Sequence, residues 1–229
     1  MILTKNYLER LNTTEIQKLS EFVVIENFKH HANSILPKEY QEDVQSIYEE
    51  EMLYIKNSQI FVSKNSSGEI LGAIRVLKWN FMDVLPIQKI FGINPLNVIG
   101  DIPLNDIFHI GRFAIKKEGS DMNLFKQLMV CAISPVCKHK GNVVFAECDS
   151  KLLRILRLLG IKATIVGASI DYLGSETIPI CMTYDGLIDF YNANKALVPQ
   201  SVMEQELKEA YALPKSVVFN TSSYNYSLV

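Results

Sequence analysis

Two side chains able to do chemistry sit in an otherwise apolar stretch, IFHIGRFAIKKEG, Ile107 to Gly119. His109 can take and return a proton near neutral pH, because an imidazole titrates at about 6.5. Arg112 carries a permanent positive charge, and a guanidinium in an apolar strand must be paired, since burying it alone is costly. Each residue has two readings. His109 is either a general base or a partly buried histidine bonded to a carbonyl. Arg112 pairs either with a structural carboxylate, for which Glu147 on the neighbouring strand is the candidate, or with a carboxylate of a substrate. Arg75, in an earlier strand-like segment, poses the same question.

Strand parity sharpens the problem. In a regular strand, residues 109, 111 and 113 share one face, and 110, 112 and 114 the other, so His109 and Arg112 would point apart. A β-bulge inserts one residue and reverses that parity. Gly111 stands between the two, and glycine within a strand marks a bulge or a close backbone approach. The expectation is a distortion within Ile110–Phe113 that splays this strand from its neighbour and frees a backbone N–H.

The surrounding elements follow from pattern. Asn12 to Glu15 reads as a capping sequence, and Ile16, Leu19, Phe22 and Val23 keep a helical period to about residue 28 or 32. Pro37 permits a second helix over about 38–52, rich in acids, with Tyr40, Val44, Ile47 and Tyr48 on one face. The runs Ile60–Val62 and Ile70–Leu77 flank turn chemistry, Lys64 to Gly68, and read as an antiparallel hairpin. The segment 79–106 is broken by Pro86, Pro95 and Pro103 yet strongly apolar. It reads either as an insert that lines a hydrophobic cavity or as a structured connection. Then come a strand over 107–115, a helix over 122–138, a strand over 143–146 and a helix over 151–159 stopped by Gly160. Two last strands, 162–170 and 178–184, precede a helical tail whose end, NTSSYNYSLV, reads as poorly ordered. The order β, α, α, β, β, insert, β, α, β, α, β, β predicts one α/β domain with a mixed twisted sheet and helices on both faces. The core spans about 1–186 and a helical extension about 187–229.

The totals restrict function. With 23 Lys and Arg against 25 Asp and Glu there is no basic excess to attract a phosphate backbone, which argues against nucleic acid as a partner. No run reaches the about 20 apolar residues of a membrane span, and the amino terminus is too charged for a signal peptide. Four cysteines without framework spacing read as reduced, buried thiols of a cytoplasmic protein. Cys131, Cys137 and His139 lack the paired spacing of a structural zinc site, so no metal is expected.

The element order, with GEILGAIRVL, IGRFAIKK and LLRILRLLGI, resembles the GCN5-related N-acyltransferase superfamily over about residues 55–185. His109-x-x-Arg112-Phe113 resembles a Glu-x-x-Arg-Phe motif in the autoinducer-synthase-like branch, which contains acyl-homoserine-lactone synthases and long-chain N-acyl amino acid synthases. The long segment before the strand is similar as well. The resemblance implies a splayed central strand pair that admits a thioester, with Phe113, Ala114, Ile115, Lys116 and Lys117 against its pantetheine arm. It implies His109 as base, Arg112 and Glu147 organising the site, and Arg75, Trp79, Phe81 and Tyr172 against the substrates. The donor is an acyl-carrier-protein or coenzyme A thioester, the acceptor a small-molecule amine such as an amino acid, and no cofactor is bound permanently. Two departures qualify this. Lys116 to Asn123 lacks the glycine loop that binds the coenzyme A pyrophosphate in common acetyltransferases, which suits a carrier-protein donor. Leu156 stands where many members carry a tyrosine acid, leaving Tyr172 and Tyr184 as substitutes or as packing residues. The expected activity is N-acylation with a medium or long acyl chain. Its rivals are a conventional acetyltransferase and a non-catalytic ligand-binding module. Homoserine-lactone synthesis is disfavoured, because the amino-terminal part lacks the Arg and Trp-Asp pattern of those enzymes.

Overall fold

A computed structural model describes residues 6–31, 36–100, 104–117, 121–172 and 175–203. The expectations for residues 118–120 and for the carboxy-terminal NTSSYNYSLV lie outside the described residues.

The chain opens with β1 (Tyr7–Arg10), which adds to the outer edge of the hairpin β2 (Ser58–Lys64) and β3 (Ile70–Lys78). Lys64, buried in β2, is bonded to Glu9 at 2.7 Å and Glu15 at 2.8 Å. It thereby ties the edge strand and the turn before α1 (Ile16–His31) to the sheet. Asn12 caps that turn, its side chain accepting the Thr14 N–H. Helix α2 (Tyr40–Tyr54) buries Val44, Ile47, Glu51 and Tyr54, a helical repeat with a carboxylate at one core position. α1 and α2 cover one face of β2 and β3 through Ile16, Leu19, Val24, Val44, Ile60, Val62 and Ala73.

The insert contains α3 (Pro86–Phe91) and α4 (Pro95–Ile99), each with proline in its first turn and a positive-φ glycine at its end. It packs on the same face of the sheet. Trp79, Leu85, Ile87 and Ile99 close over Leu77, Ile107, Val143 and Phe145. The inner side of the insert is therefore a further core cluster, while Phe81, Met82, Val84, Leu96 and Val98 remain exposed.

The central strand β4 (Ile107–Ile115) pairs antiparallel with β3 and parallel with β5 (Val143–Cys148). Helix α5 (Met122–Ile133), capped by the Asp121 side chain, covers the opposite face with α7 (Tyr184–Asn194) and α6 (Ser150–Leu158). Gly72 of β3 lets α5 approach closely, since a Cβ there would stand 2.9 Å from Leu128 Cδ1. The single helix expected over 122–138 ends at Ile133, because Pro135 cannot donate a backbone hydrogen bond; a 3₁₀ turn, Val136–Lys138, follows.

The strand expected over 162–170 is two short strands, β6 (Ala163–Ile165) and β7 (Ile170–Tyr172). Both pair with β8 (Ser175–Thr183). Gly167 divides them where Ile93 of the insert presses within 2.7 Å of its virtual Cβ. The last strand also ends earlier than expected: Tyr184 begins α7. The sheet order is β1-β2-β3-β4-β5-β8-β6, with β7 also on β8, and helices lie on both faces as expected. The four cysteines are buried and free.

Leu128 is completely buried at the centre of the α5 face. Leu128→Ala is expected to cost about 2–5 kcal/mol by lost transfer energy and the cavity left behind. Urea denaturation checks this as a fall in midpoint with an unchanged slope.

Candidate active site

The distortion expected within Ile110–Phe113 is present. Arg75 pairs with Gly111 and Ala73 with Ala114, so β4 has one residue more than β3 across that step. Arg112 adopts φ 54, the left-handed region, which costs a side-chain-bearing residue on the order of 1–3 kcal/mol. The bulge reverses parity. Phe108 and Ile110 face α5, whereas His109, Gly111 and then Arg112 face α2 and the insert; Phe113 returns to α5 and Ala114 to α1. His109 and Arg112 thus share one face.

The bulge coincides with the end of the β4–β5 ladder. Pairing stops at Ile110–Ala146 although both strands continue. The splay opens a cleft of about 690 Å³ that passes between the strands. On the α5 side it is lined by Phe125, Met129, Leu152, Ile155, Ile180 and other apolar groups. On the α2 side it is lined by Arg75, His109, Arg112, Glu147, Tyr172 and, from α1, Glu26 and His30.

A continuous chain of hydrogen bonds runs along that second side. Glu51 Oε1 accepts from Arg75 Nη1 at 2.6 Å and from Arg112 Nε at 2.7 Å. Arg112 Nη2 donates to Glu50 Oε1 at 2.5 Å. Arg75 Nη2 donates to His109 Nδ1 at 3.1 Å, and His109 Nε2 lies 2.8 Å from Glu147 Oε1. An arginine has only donors, so His109 Nδ1 must be the acceptor; Nε2 then carries the proton and donates to Glu147. Both ring nitrogens are committed, and a second ring proton would face the guanidinium.

Burial is steepest at the inner end. The Glu51 side chain is 0% exposed and those of Arg75 and His109 1%, whereas that of Glu147 is 12% exposed and that of Arg112 11%. Burial alone would raise the Glu51 carboxyl; the charges of Arg75 and Arg112 and their hydrogen bonds outweigh it and hold the group below its ordinary value. Arg112 is raised, its burial outweighed by Glu51 and Glu50. Arg75 lies over the Tyr54 ring, 5.5 Å from its centre, and the Tyr54 hydroxyl, pushed up to about 12 chiefly by burial, donates to Val84 O. Gly111 is required here: a Cβ would meet Arg75 Nη2 at 2.9 Å and His109 Cε1 at 3.4 Å.

The structure therefore joins His109, Arg75, Arg112 and Glu147, and it corrects their pairing. Arg112 does not take Glu147; that carboxylate binds His109. The acids that hold both arginines, Glu50 and Glu51, went unrecognised in the sequence. The signal was available, since Glu51 falls four residues after Ile47 and seven after Val44, on the core stripe of α2. Tyr172 lines the cleft, and its phenol is raised, first by burial, so it keeps its proton near neutrality. Leu156 lines the apolar side, and Tyr184 starts α7 away from the cleft.

Phe113, Ala114 and Ile115 line the cleft from the strand edge that β5 has left. Lys116 and Lys117 are turned to other partners. Lys116 Nζ binds Glu69, and Lys117 Nζ donates to Lys29 O at 2.7 Å. Trp79 and Phe81 stand outside the cleft: Trp79 Nε1 donates to Asp83 O at 2.7 Å and its ring stacks on Phe81, the centroids 4.7 Å apart. From the insert, Pro86 and Ile90 reach the cleft, while Trp79, Leu85, Ile87 and Ile99 pack against the sheet and Phe81, Met82, Val84, Leu96 and Val98 are exposed. Among the described residues, no group of three or more His, Cys, Asp or Glu is arranged to hold a metal ion, and no helix is long and apolar enough to cross a membrane.

No family model matches the chain, and no curated protein matches it. Solved structures do. FeeM, an N-acyl amino acid synthase from uncultured soil microbes, superposes with a TM-score of 0.56 at 14% identity, over 80% of this chain and 92% of that one. TofI, in a ternary complex with an inhibitor and MTA, matches at 0.51 and 14% identity, over 81% and 96%. A GNAT-family acetyltransferase from Staphylococcus aureus Mu50 matches at 0.50 and 13% identity, over 79% and 99%. At such identities the likeness is one of fold: the chain has the fold of the GCN5-related N-acyltransferases, as its central strand implied.

Removing one member of a buried ion cluster leaves the others uncompensated. Glu51→Ala is expected to destabilise the fold by about 3–5 kcal/mol, read as a fall in thermal midpoint. The pH dependence has a definite sign. Because the folded Glu51 carboxyl is lowered from 4.5, its contribution is complete above that value and is lost as pH falls through the lowered folded value. Denaturation midpoints measured below pH 4.5 should therefore decline less steeply in Glu51→Gln than in the wild type.

Proposed function

We propose that the protein is an N-acyltransferase that moves an acyl chain from a thioester to a primary amine. The observation that carries this reading is the β4–β5 splay opening onto the Glu147–His109–Arg75 chain beside the Arg112 bulge. Aminolysis of a thioester needs an amine stripped of its proton, donors for the developing oxyanion and a proton for the departing thiolate.

Glu147 serves as the base. It is the member of the chain that reaches the cleft, and neither arginine neutralises it directly. His109 serves as a positioning residue: its Nε2–H orients the carboxylate, and Arg75 fixes the tautomer that makes this possible. The imidazole that the sequence marks as the base has no free lone pair for the amine proton. The amine nitrogen, deprotonated at Glu147, attacks the thioester carbonyl carbon. Backbone N–H groups on the strand edge abandoned by β5, within Gly111–Ile115, supply donors for the oxyanion. The C–S bond breaks, Tyr172 gives its proton to the thiolate, and the proton that the nitrogen sheds on becoming an amide restores the phenol.

A cleft of about 690 Å³ lies in the range of sites that enclose drug-sized ligands, which favours a pantetheine arm plus a medium or long chain over an acetyl group. The chain would run along the apolar side formed by Phe125, Met129, Leu152 and Ile155. The donor is an acyl-carrier-protein or acyl-coenzyme A thioester. Likeness in fold to a synthase of N-acyl amino acids supports the reaction class.

Thiol release from acyl-coenzyme A and acyl-carrier-protein thioesters of graded length, with primary amines present and products read by mass spectrometry, tests the reading. Amide formation is expected to increase from acetyl to longer chains. Glu147→Gln is expected to reduce kcat by about a hundredfold or more with a thermal midpoint near that of the wild type. A fully active Glu147→Gln protein would remove Glu147 from the mechanism, and failure of every thioester would leave a ligand-binding module.

A further inference from the structure

We infer that the donor end of the cleft reads the pantetheine arm of the thioester and not the nucleotide phosphates of coenzyme A, and that Glu26 is the residue that sets this preference. This rests on the acyl-transfer reading and narrows its donor.

A thioester seated in the splay has one way out for its arm. β4 and β5 are paired up to Ile110 and Ala146, so the splay is open only toward their carboxy-terminal ends. The strands are parallel, and each runs on at that end toward a helix: α5 after β4, capped by Asp121, and α6 after β5, capped by Asp149. Such ends are where α/β folds hold phosphates, on backbone N–H groups that lack an intrahelical partner. Here protein carboxylates accept from backbone N–H groups at that end. Asp121 Oδ1 takes the Asn123 N–H at 2.9 Å, and Asp149 Oδ1 the Leu152 N–H at 2.5 Å. Those two are ordinary helix caps. Glu26 is different, because it arrives from α1. Its side chain, 4% exposed, lines the cleft, and its Oε2 accepts the Lys117 N–H at 2.9 Å, two residues beyond β4. A carboxylate thus occupies an amide that a donor phosphate would use.

The charges at this end agree. Glu26, Asp121, Asp149 and, from β8, Glu176 line the cleft, against Lys151 and His30, whose Nε2 lies 2.9 Å from Ile115 O. The other basic groups nearby do not line it. Lys29 Nζ is on Glu26 Oε1 at 2.8 Å, Lys117 Nζ donates to Lys29 O at 2.7 Å, and Lys116 Nζ binds Glu69. Arg154 and Arg157 are exposed farther along α6. A diphosphate reaching those groups would be held in solvent, where an ion pair contributes little. Lys151 can meet one phosphate; further phosphates meet carboxylates.

The test offers one acyl group on coenzyme A and on pantetheine, with one primary amine. The two donors share every atom that reacts and differ in the phosphates and the nucleoside. A cradled diphosphate contributes about tenfold or more through its charge-assisted hydrogen bonds, so the wild type is expected to favour acyl-coenzyme A over acyl-pantetheine by less than that in kcat/KM. Added salt should not raise the KM of acyl-coenzyme A relative to that of acyl-pantetheine, since there is no attraction to screen. Glu26→Gln keeps the side chain's size and an acceptor for the Lys117 N–H, but leaves Lys29 without its carboxylate. It should shift the ratio toward acyl-coenzyme A by about tenfold, the size of one charge contact at a partly exposed site. A wild-type preference for acyl-coenzyme A of about tenfold or more would overturn the inference while leaving acyl transfer standing. So would a KM for acyl-coenzyme A that climbs with salt relative to acyl-pantetheine, a readout that does not depend on the variant folding. An unmoved ratio in a folded Glu26→Gln protein would overturn the assignment to Glu26. Absence of amide from both donors and from acyl-carrier-protein thioesters, with every amine, would overturn the acyl-transfer reading itself.

Discussion

One carboxylate oxygen ties a helix to two strands at the centre of the sheet. Glu51 Oε1 receives a hydrogen bond from Arg75 on β3 and another from Arg112 on β4, and it does so from a helix packed across the sheet. Three elements meet at a single acceptor with no exposed surface. Such clusters contribute little net stability, because desolvation of the ions offsets their attraction, but they make alternative arrangements costly. Any shift of α2 along the sheet would strand two guanidiniums in a low dielectric. The companion oxygen, Glu51 Oε2, has no hydrogen-bond partner among the described residues, which places the whole role on Oε1.

That constraint explains the backbone beneath it. Arg112 can reach Glu51 only if β4 turns it to the α2 face, which a regular strand would not do. The left-handed φ of Arg112 is the cost of doing so, and the two charge-assisted bonds to Glu50 and Glu51 oppose it. The extra residue bends β4 away from β5, and the ladder ends at Ile110. The opening between the strands is thus a consequence of an ion cluster on one face. Gly111 completes the device: lacking a Cβ, it leaves the space through which the Arg75 guanidinium reaches His109.

Much of this was legible in the residues, and what was not has a physical reason. The order of elements followed from periodicity and punctuation, and Gly111 between two polar side chains announced the bulge. The partner of Arg112 was misread because neighbouring strands offered Glu147, while the true partners lie some sixty positions away in sequence on α2. Long-range ion pairing leaves no local periodic trace. The acid at Glu51 did leave one, a charge on a core stripe, but an acid-rich helix reads first as solvated. The insert was harder. Its apolar residues fit a cavity lining or a structured connection equally well, and only packing distinguishes them; Trp79 is buried in a core cluster, while Phe81 lies half exposed against its ring. Gly167, pressed by Ile93, divided a strand that its β-branched composition favoured.

His109 gains its meaning from this geometry. The Glu-x-x-Arg-Phe motif that this strand resembles has a glutamate in place of His109, and a glutamate would place its charge directly on β4. An imidazole cannot replace that charge while one nitrogen accepts from Arg75 and the other donates onward. It passes the task outward. The carboxylate that completes the site is Glu147, on the far side of the splay, and His109 bridges the gap between β4 and β5 just before their pairing ends. Charge that would have sat at the floor of the cleft is moved to its wall, at 12% side-chain exposure instead of 1%. On the proposed reading, a proton-accepting group there meets an amine without the amine entering the arginine cluster, and the buried network stays rigid.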